Sequence, residues 1–452
     1  MSDSNNFATD PLFIKDTISL LTELIQNKCV NPPGNEMRSI KTIQRVLHEH
    51  EIESQIFETA PDRGNLLARI KGTGKGPSLM FGPSHVDVVP VETPEVWIED
   101  PFSGLVKDGF VWGRGAVDML FIVASQVQTF INLHEEGFKP IGDLILLIVS
   151  DEEAGGKFGA EWMIKNHREL VEADYAITET GGIPIAPNKF SFAYGEKGVS
   201  QKRIIFKGSP GHGSLPYGSE NAAIKMSEAV NRISKYKAPV TTKYLDHLAD
   251  GIATGFIQRL MLTTPWLLPL TLKTLIKQQP STAKSVHALS RMTFSPNLVK
   301  GGVKVNVIPE KAEIELDIRT LPGQNYDYVT SHLRKALGPM SDEVIIEDIL
   351  RSDGNESPPS SDFVFAMEQA VKKELPSAEL VPIILMAVSD GRFLRNIGAD
   401  VYGFSLFEPE TSLNQITDFI HGTNERISIK TLELTQKVYY NLAKDFLTPK
   451  KT

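Results

Sequence analysis

The fold is decided by the stretch Asp143-Leu144-Ile145-Leu146-Leu147-Ile148-Val149-Ser150-Asp151-Glu152-Glu153-Ala154-Gly155-Gly156. Leu144 to Val149 is apolar without interruption, shorter than an ordinary helix and lacking the alternation of a half-exposed strand, so it reads as a strand buried on both faces. Tyr175 to Thr178 has the same character. Leu120 to Glu135 and Phe158 to Asn166 carry helix-period apolar positions beside these strands. Working toward the amino terminus, Leu12 to Gln26 and Met37 to His48 read as helices, and Asn65 to Ile70 and Ser78 to Phe81 as short apolar runs bounded by Gly and Pro. Helix and strand alternate, which predicts an α/β domain around a parallel or mixed sheet with flanking helices.

Working toward the carboxyl terminus, the pattern changes near Glu196. It becomes strand Val199–Lys207, helix Ser219–Ile233, strand Val303–Ile308, strand Ala312–Arg319, helix Tyr326–Leu337 and strand Val344–Leu350. That βαββαβ order is ferredoxin-like. In Ala312–Arg319 the apolar Ile314, Leu316 and Ile318 alternate with Glu313, Glu315 and Asp317, the signature of one dry and one wet face. Residues from about 238 to 296 are in excess of this unit and read as a helical insertion. Arg351 to Ser361 is rich in Ser, Pro, Gly and Asp and reads as a linker, beyond which helix and strand alternate again. The expected organisation is therefore a large domain in two pieces, 1–195 and 351–452, interrupted by a small domain at 196–350.

The 452-residue chain is 41% hydrophobic and 23% charged, with a net charge of −9. This is globular composition, and its acidity argues against a nucleic-acid partner. Cys29 is the only cysteine, so a metal site would have to be built from His and carboxylates. Met1 to Asp10 is polar and has no apolar core of a secretory leader, from which a cytoplasmic protein is expected. Leu260 to Leu272 carries no charge but falls short of the roughly 20 residues that span a bilayer. It reads as buried helix, and no membrane span is expected.

Three acidic or His-bearing segments follow the carboxyl ends of buried strands: His85-Val86-Asp87, Asp151-Glu152-Glu153 and Glu179. That edge is where open α/β sheets bind ligands. Asp118 lies in the glycine-rich turn Gly113-Arg114-Gly115-Ala116-Val117-Asp118. His85 and Asp87 alone are compatible with a capped turn, and Glu152 and Glu153 with a solvated pair. Gathered together, so many carboxylates repel one another unless cations neutralise them. A metal site follows, and imidazole with carboxylate and no thiolate suits zinc first, with cobalt or manganese as alternatives. If Glu152 and Glu153 lie on an extended segment they point opposite ways, leaving Glu153 to ligate and Glu152 to act as base.

Six motifs in order, Ser84-His85-Val86-Asp87-Val88-Val89-Pro90, Gly113-Arg114-Gly115-Ala116-Val117-Asp118-Met119, Asp151-Glu152-Glu153-Ala154-Gly155-Gly156, Pro210-Gly211-His212-Gly213-Ser214, Asn306-Val307-Ile308-Pro309 and His421-Gly422-Thr423-Asn424-Glu425, span almost the whole chain. They resemble the M20 family of metallopeptidases and aminoacylases. The resemblance implies a zinc-peptidase-like sheet with an inserted lid or dimerisation domain, and two divalent metal ions. Asp118 would bridge them, His85 and Glu179 would complete one, Glu153 and His421 the other, and Asp87 would orient His85. It implies that His212 reaches a neighbouring active site across a homodimer, and that Arg392 and Asn306 bind a substrate carboxylate. Ser84 stands where many members have Gly, and Leu120 follows Asp118-Met119 where many have Lys.

The expected activity is hydrolysis of the amide bond of a small-molecule substrate, an N-acyl amino acid or short peptide with a free carboxylate. Glu152 takes the proton of the attacking water and returns it to the leaving amine, and His212 helps to hold the oxyanion. The insertion, with Phe256, Met261 and Trp266, offers an apolar surface for a long acyl chain. A dipeptidase or carboxypeptidase uses the same chemistry in a different pocket. A non-catalytic metal- or partner-binding protein on this scaffold is the alternative of another class, and the presence of Glu152 speaks against it.

Overall fold

A computed structural model of the chain describes residues 11–253 and 255–449, so the expectation for Met1 to Asp10 lies outside the described residues. The chain forms two compact units. The first contains residues up to Tyr194, then Ser357–Ile383 and everything from Ser389; the second contains Gly195–Glu356 together with Ile384–Val388.

A nine-stranded mixed sheet organises the first unit. Its order is Ser54–Ala60, Arg63–Ile70, Leu144–Val149, Leu79–His85, Tyr175–Thr178, Asp400–Gly403, Lys189–Glu196 and Glu379–Leu385, with Gly181–Ala186 paired to Lys189–Glu196 off this path. The four strands from Leu144–Val149 to Asp400–Gly403 are parallel. Every residue of Leu144–Val149 is buried, as its unbroken apolar character requires, and so is every residue of Leu79–His85, including Ser84 and His85. His85 lies opposite Val149 and Thr178 opposite Gly403, so the carboxyl ends of these parallel strands share one edge of the sheet, with Leu79–His85 running past the end of Tyr175–Thr178. Among the described residues, the apolar helical stretch Ala116–Glu135 is long enough to cross a membrane, but 94% of its apolar window is buried, as in a core helix. The Ile429–Phe446 helix packs against its Phe121–Glu135 portion.

The second unit is a four-stranded antiparallel sheet in the order Thr293–Gly301, Lys311–Thr320, Gly198–Lys207 and Val344–Ser352. Its core places Ile204, Phe206, Ile314 and Ile318 against Ala229 and Ile233 of the Ala222–Lys235 helix and Leu333 of the Tyr326–Leu337 helix. Two expectations need correction here. The strand expected at Val303–Ile308 is Thr293–Gly301 instead: Val303 and Val305 are fully exposed, and only Val307–Ile308 pair, with Gly211–His212. Pro296 concealed the true strand, since proline enters a sheet only at an edge or a bulge, and here it has both.

The insertion thus ends before Thr293 and consists of the helices Leu245–Ile252, Phe256–Thr263, Leu268–Gln278 and Pro280–Leu289. The buried-helix reading of Leu260 to Leu272 is the second expectation overturned. Leu262 and Leu268 point inward, but Leu260 is 45%, Trp266 78% and Leu270 60% exposed. With Pro265 and Pro269 in the junction, the stretch breaks into two short helices, and each can bury only one face.

Candidate active site

The carboxyl ends of the parallel strands of the first unit position the chemistry. His85 is the last residue of its strand, Glu152 and Glu153 begin a one-turn helix just beyond Val149, and Glu179 follows Thr178. The extended segment expected at Glu152-Glu153 is absent: the left-handed φ of 73° at Asp151 turns the chain into a 3-10 turn. Its two glutamates still diverge, Glu152 toward His85 and Glu179, Glu153 toward Asp118 and His421.

Asp118 occupies the turn ahead of the Phe121–Glu135 helix, and its two oxygens face different histidines. Oδ1 is 3.4 Å from His85 Nε2, and Oδ2 is 3.4 Å from His421 Nε2. Glu179 Oε2 lies 3.8 Å from His85 Nε2, and Glu153 Oε2 3.3 Å from His421 Nε2. These separations exceed a good N–H···O bond. His85 Nε2, Glu153 Oε1 and Glu179 Oε1 are buried without any hydrogen-bond partner. Buried polar atoms are otherwise almost always paired, so ligand-type atoms that face a common space without bonding fit a pair of divalent cations.

The electrostatics agree. Burial pushes the Glu179 carboxyl up to about 7, and burial with Glu179 nearby raises Glu152 well above the carboxylate range. Asp118 and Glu153 raise the His421 imidazole to about 10. Burial opposes a charged His85, yet Asp118, Asp87 and Glu179 together hold its imidazole well above its ordinary value.

Asp87 is fully buried and joins the parts. It accepts from the backbone N–H of Glu152 at 3.2 Å and of Glu153 at 3.1 Å, and from Asn31 Nδ2 at 2.8 Å, while His85 Nδ1 lies 3.0 Å from the Asp87 carbonyl. Sequence reasoning missed the layer behind. Asp151 receives Arg63 Nη1 at 2.8 Å and Asn31 Nδ2 at 3.2 Å, and Arg63 Nη2 reaches Glu36 at 2.9 Å. It also gave no role to Glu425, the last residue of His421-Gly422-Thr423-Asn424-Glu425. The Glu425 carboxylate accepts from the backbone of Gly115, Val117 and Asp118 and from Arg114 Nη1 at 2.8 Å, clamping the Asp118 turn. Gly115 has φ 83°, and a Cβ there would meet Val88 at 2.4 Å, so this tight turn requires glycine. Leu120 is 1% exposed and buried in the core.

The remaining sequence candidates divide between the units. Arg392 is 3% exposed, donating to the carbonyls of Ser389 at 2.5 Å and Gly155 at 2.9 Å. It thereby braces the glycines that follow Glu153. Asp390 beside it is a buried carboxyl pushed up to about 7 by burial. His212 and Asn306 lie in the second unit, where pairing of Gly211–His212 with Val307–Ile308 brings the two motifs together. His212 Nδ1 is 2.7 Å from Ser214 Oγ, and its side chain is exposed. An apolar recess in the first unit, lined by Ile122, Ile183, Phe407, Ile416 and Ile420, adjoins Asp118 and Glu179.

Comparison with known proteins agrees with this architecture. Among curated relatives, the chain is 27% identical over 383 residues to a probable carboxypeptidase S-like 2 of Dictyostelium discoideum, covering 82% of this chain and 71% of the relative. It is also 27% identical over 377 residues to the N-fatty-acyl-amino acid synthase/hydrolase PM20D1.1 of Danio rerio, covering 79% and 70%. Among solved structures, the M20 family metallo-carboxypeptidase Sso-CP2 from Sulfolobus solfataricus superposes with a TM-score of 0.72 at 18% identity, covering 95% of this chain and 99% of that one. The model of peptidase family M20/M25/M40 matches residues 83–445. The protein is therefore a member of peptidase family M20/M25/M40, a metallohydrolase acting on amide or peptide bonds.

Proposed function

We propose that the protein hydrolyses the amide bond of N-acyl amino acids that carry a free carboxylate, with two divalent metal ions, zinc first, held on either side of Asp118. The observation that carries this reading is the pair of histidine Nε2 atoms facing opposite oxygens of Asp118, with unpartnered oxygens of Glu179 and Glu153 completing each side. His85, Asp118 and Glu179 hold one ion; Asp118, Glu153 and His421 hold the other. When bound, the ions supply Lewis acidity to the attacking water and the scissile carbonyl.

Glu152 is the general base. With Asp118 shared, each ion has three protein ligands without Glu152, whose carboxyl faces the His85 and Glu179 side of the cluster and is available to accept a proton and return it to the leaving amine. Asp87 is a positioning residue for His85 and the Glu152–Glu153 turn. The apolar recess beside Asp118 and Glu179 favours an acyl group over the polar backbone of a peptide. His212 stabilises the oxyanion, and its neighbour Asn306 binds the carboxylate. Arg392, occupied by carbonyls, supports the Glu152 turn, and gripping the carboxylate would require it to release one of them. The exposed strand Thr293–Gly301, with Leu298 and Val299 about half exposed, is the sheet edge through which a homodimer would form.

The test is metal analysis together with a turnover screen of the zinc- and cobalt-loaded protein against acetyl-, long-acyl- and aminoacyl-amino acids. About two metal equivalents per chain and preference for acyl substrates are expected. Preference for aminoacyl-amino acids would make the protein a dipeptidase, and full activity after exhaustive chelation would end the metal assignment.

A further inference from the structure

The helical insertion of the second unit carries none of the residues assigned to the site above, and the composition of its last three helices, Phe256–Thr263, Leu268–Gln278 and Pro280–Leu289, is anomalous. Residues 251–309 contain no Asp or Glu but seven Lys and Arg, in a chain whose net charge is −9. The same segment exposes Phe256 at 78%, Ile257 at 73%, Leu260 at 45%, Trp266 at 78%, Leu270 at 60% and Ile276 at 47%. Large apolar side chains scattered singly over a surface need no explanation, whereas a run of them on consecutive helices does.

Two further observations indicate what covers this face. Phe256, Ile257 and Leu260 are spaced so that they lie on one side of the Phe256–Thr263 helix, while Leu262 of the same helix is 4% exposed and anchors it inward. The helix is held from below and apolar above. The cations nearby are also available: Lys273, Lys277 and Lys284 are exposed and enter no ion pair among the described residues, whereas Arg259 is engaged by Asp250 at 2.7 Å. Short helices with Phe, Trp and Leu on one side, bordered by lysines and free of acids, have the makeup of elements that lie in the interface of a bilayer. The acids of the insertion, Asp246 and Asp250, lie on its first helix and pair with Arg259, whereas the three helices that follow carry cations and no acid, a surface whose charge anionic headgroups complement.

We propose that this insertion is a docking surface for an anionic phospholipid membrane, with Phe256, Ile257, Trp266 and Leu270 entering the headgroup boundary and Lys273, Lys277 and Lys284 meeting the lipid phosphates and carboxylates. The chain lies on the membrane and does not span it. This inference does not depend on the substrate assigned above.

The test is flotation of the full-length, metal-loaded protein with vesicles of phosphatidylcholine containing phosphatidylserine, and with vesicles of phosphatidylcholine alone. Wild type is expected to float with the mixed vesicles, less with the neutral ones, and less as salt is raised. Phe256→Ser with Trp266→Ser should lower the vesicle partition coefficient by about tenfold or more. Lys273→Glu with Lys277→Glu should remove the preference for the anionic lipid. Both variants should keep wild-type melting temperature and wild-type turnover of a short acetyl-amino acid in solution. Failure of the wild type to float overturns the proposal, as does equal binding to neutral vesicles. So does a fall in oligomeric state of the Ser variant by analytical ultracentrifugation, which would make the face a contact between copies. Selective loss of long-acyl turnover without vesicles would make it part of a substrate site, again overturning it.

Discussion

The strand ends of the first unit and the insertion of the second depart from ordinary protein chemistry in opposite directions. At the strand ends Asp87, Asp118, Glu152, Glu153 and Glu179 gather around His85 and His421, and Asp87 and His85 are almost wholly withdrawn from water. Across residues 251–309 acids are missing altogether, and Phe256 and Trp266 stand in solvent. One region buries charge and the other exposes apolar surface. Each arrangement costs stability in the isolated chain and is explained by a molecule of complementary chemistry, a cation in the first case and an anionic apolar boundary in the second.

The strongest way to break this comparison is to show that the buried acids are not doing chemistry. Glu152→Gln should retain fold and metal content while turnover falls by roughly 10² to 10⁴. An unchanged rate in the metallated variant would refute the base assignment, and loss of metal would show that Glu152 is a ligand. A smaller effect separates ligands from their supports. Glu425→Gln leaves all five proposed ligands in place but weakens the clamp on the Asp118 turn, so competition with a chelator should show metal affinity reduced by about 10- to 100-fold. Unaltered affinity would mean that the turn holds its shape without Glu425.

The smallest effect probes the underside of the insertion. Lys197 is buried and donates to the carbonyls of Ala288 at 2.6 Å and Arg291 at 3.1 Å, at the end of the insertion's last helix. Burial lowers its ammonium from 10.5 to about 7. Between those values the unfolded chain binds a proton that the folded chain does not, so this group makes stability rise with pH from about 7 to 10.5, with its full penalty present below 7. Denaturant unfolding of Lys197→Met should show a shallower rise than wild type across that window. Parallel profiles would place the Lys197 charge in contact with water.

The legible and illegible parts of the sequence differ for physical reasons. Leu144–Val149 and Tyr175–Thr178 announce themselves because a doubly buried strand must be apolar at every position, and the acids beyond them mark the ligand edge. His421 is different: it was reached only through the resemblance of its motif, since nothing local in an exposed loop separates a ligand from a solvated histidine. Thr293–Gly301 was hidden by Pro296, and the outward faces of Phe256 and Trp266 could not be read because apolar character alone does not say whether a partner within the chain exists. The contacts of Arg63 with Glu36 and Asp151 join residues 27 and 88 positions apart, and no periodicity registers such a distance.

The Glu425 clamp has a consequence for the chain as it is synthesised. Asp118 belongs to a turn whose backbone donors find their carboxylate 307 residues later, and the loop that delivers His421 immediately precedes it. When the first unit's opening 194 residues have left the ribosome, His85, Asp118, Glu153 and Glu179 are present, yet the turn is unclamped and one imidazole is still to come. The proposed two-ion centre would be finished only after His421 and Glu425 emerge, so a product truncated before them would carry four of the five proposed ligands without the clamp.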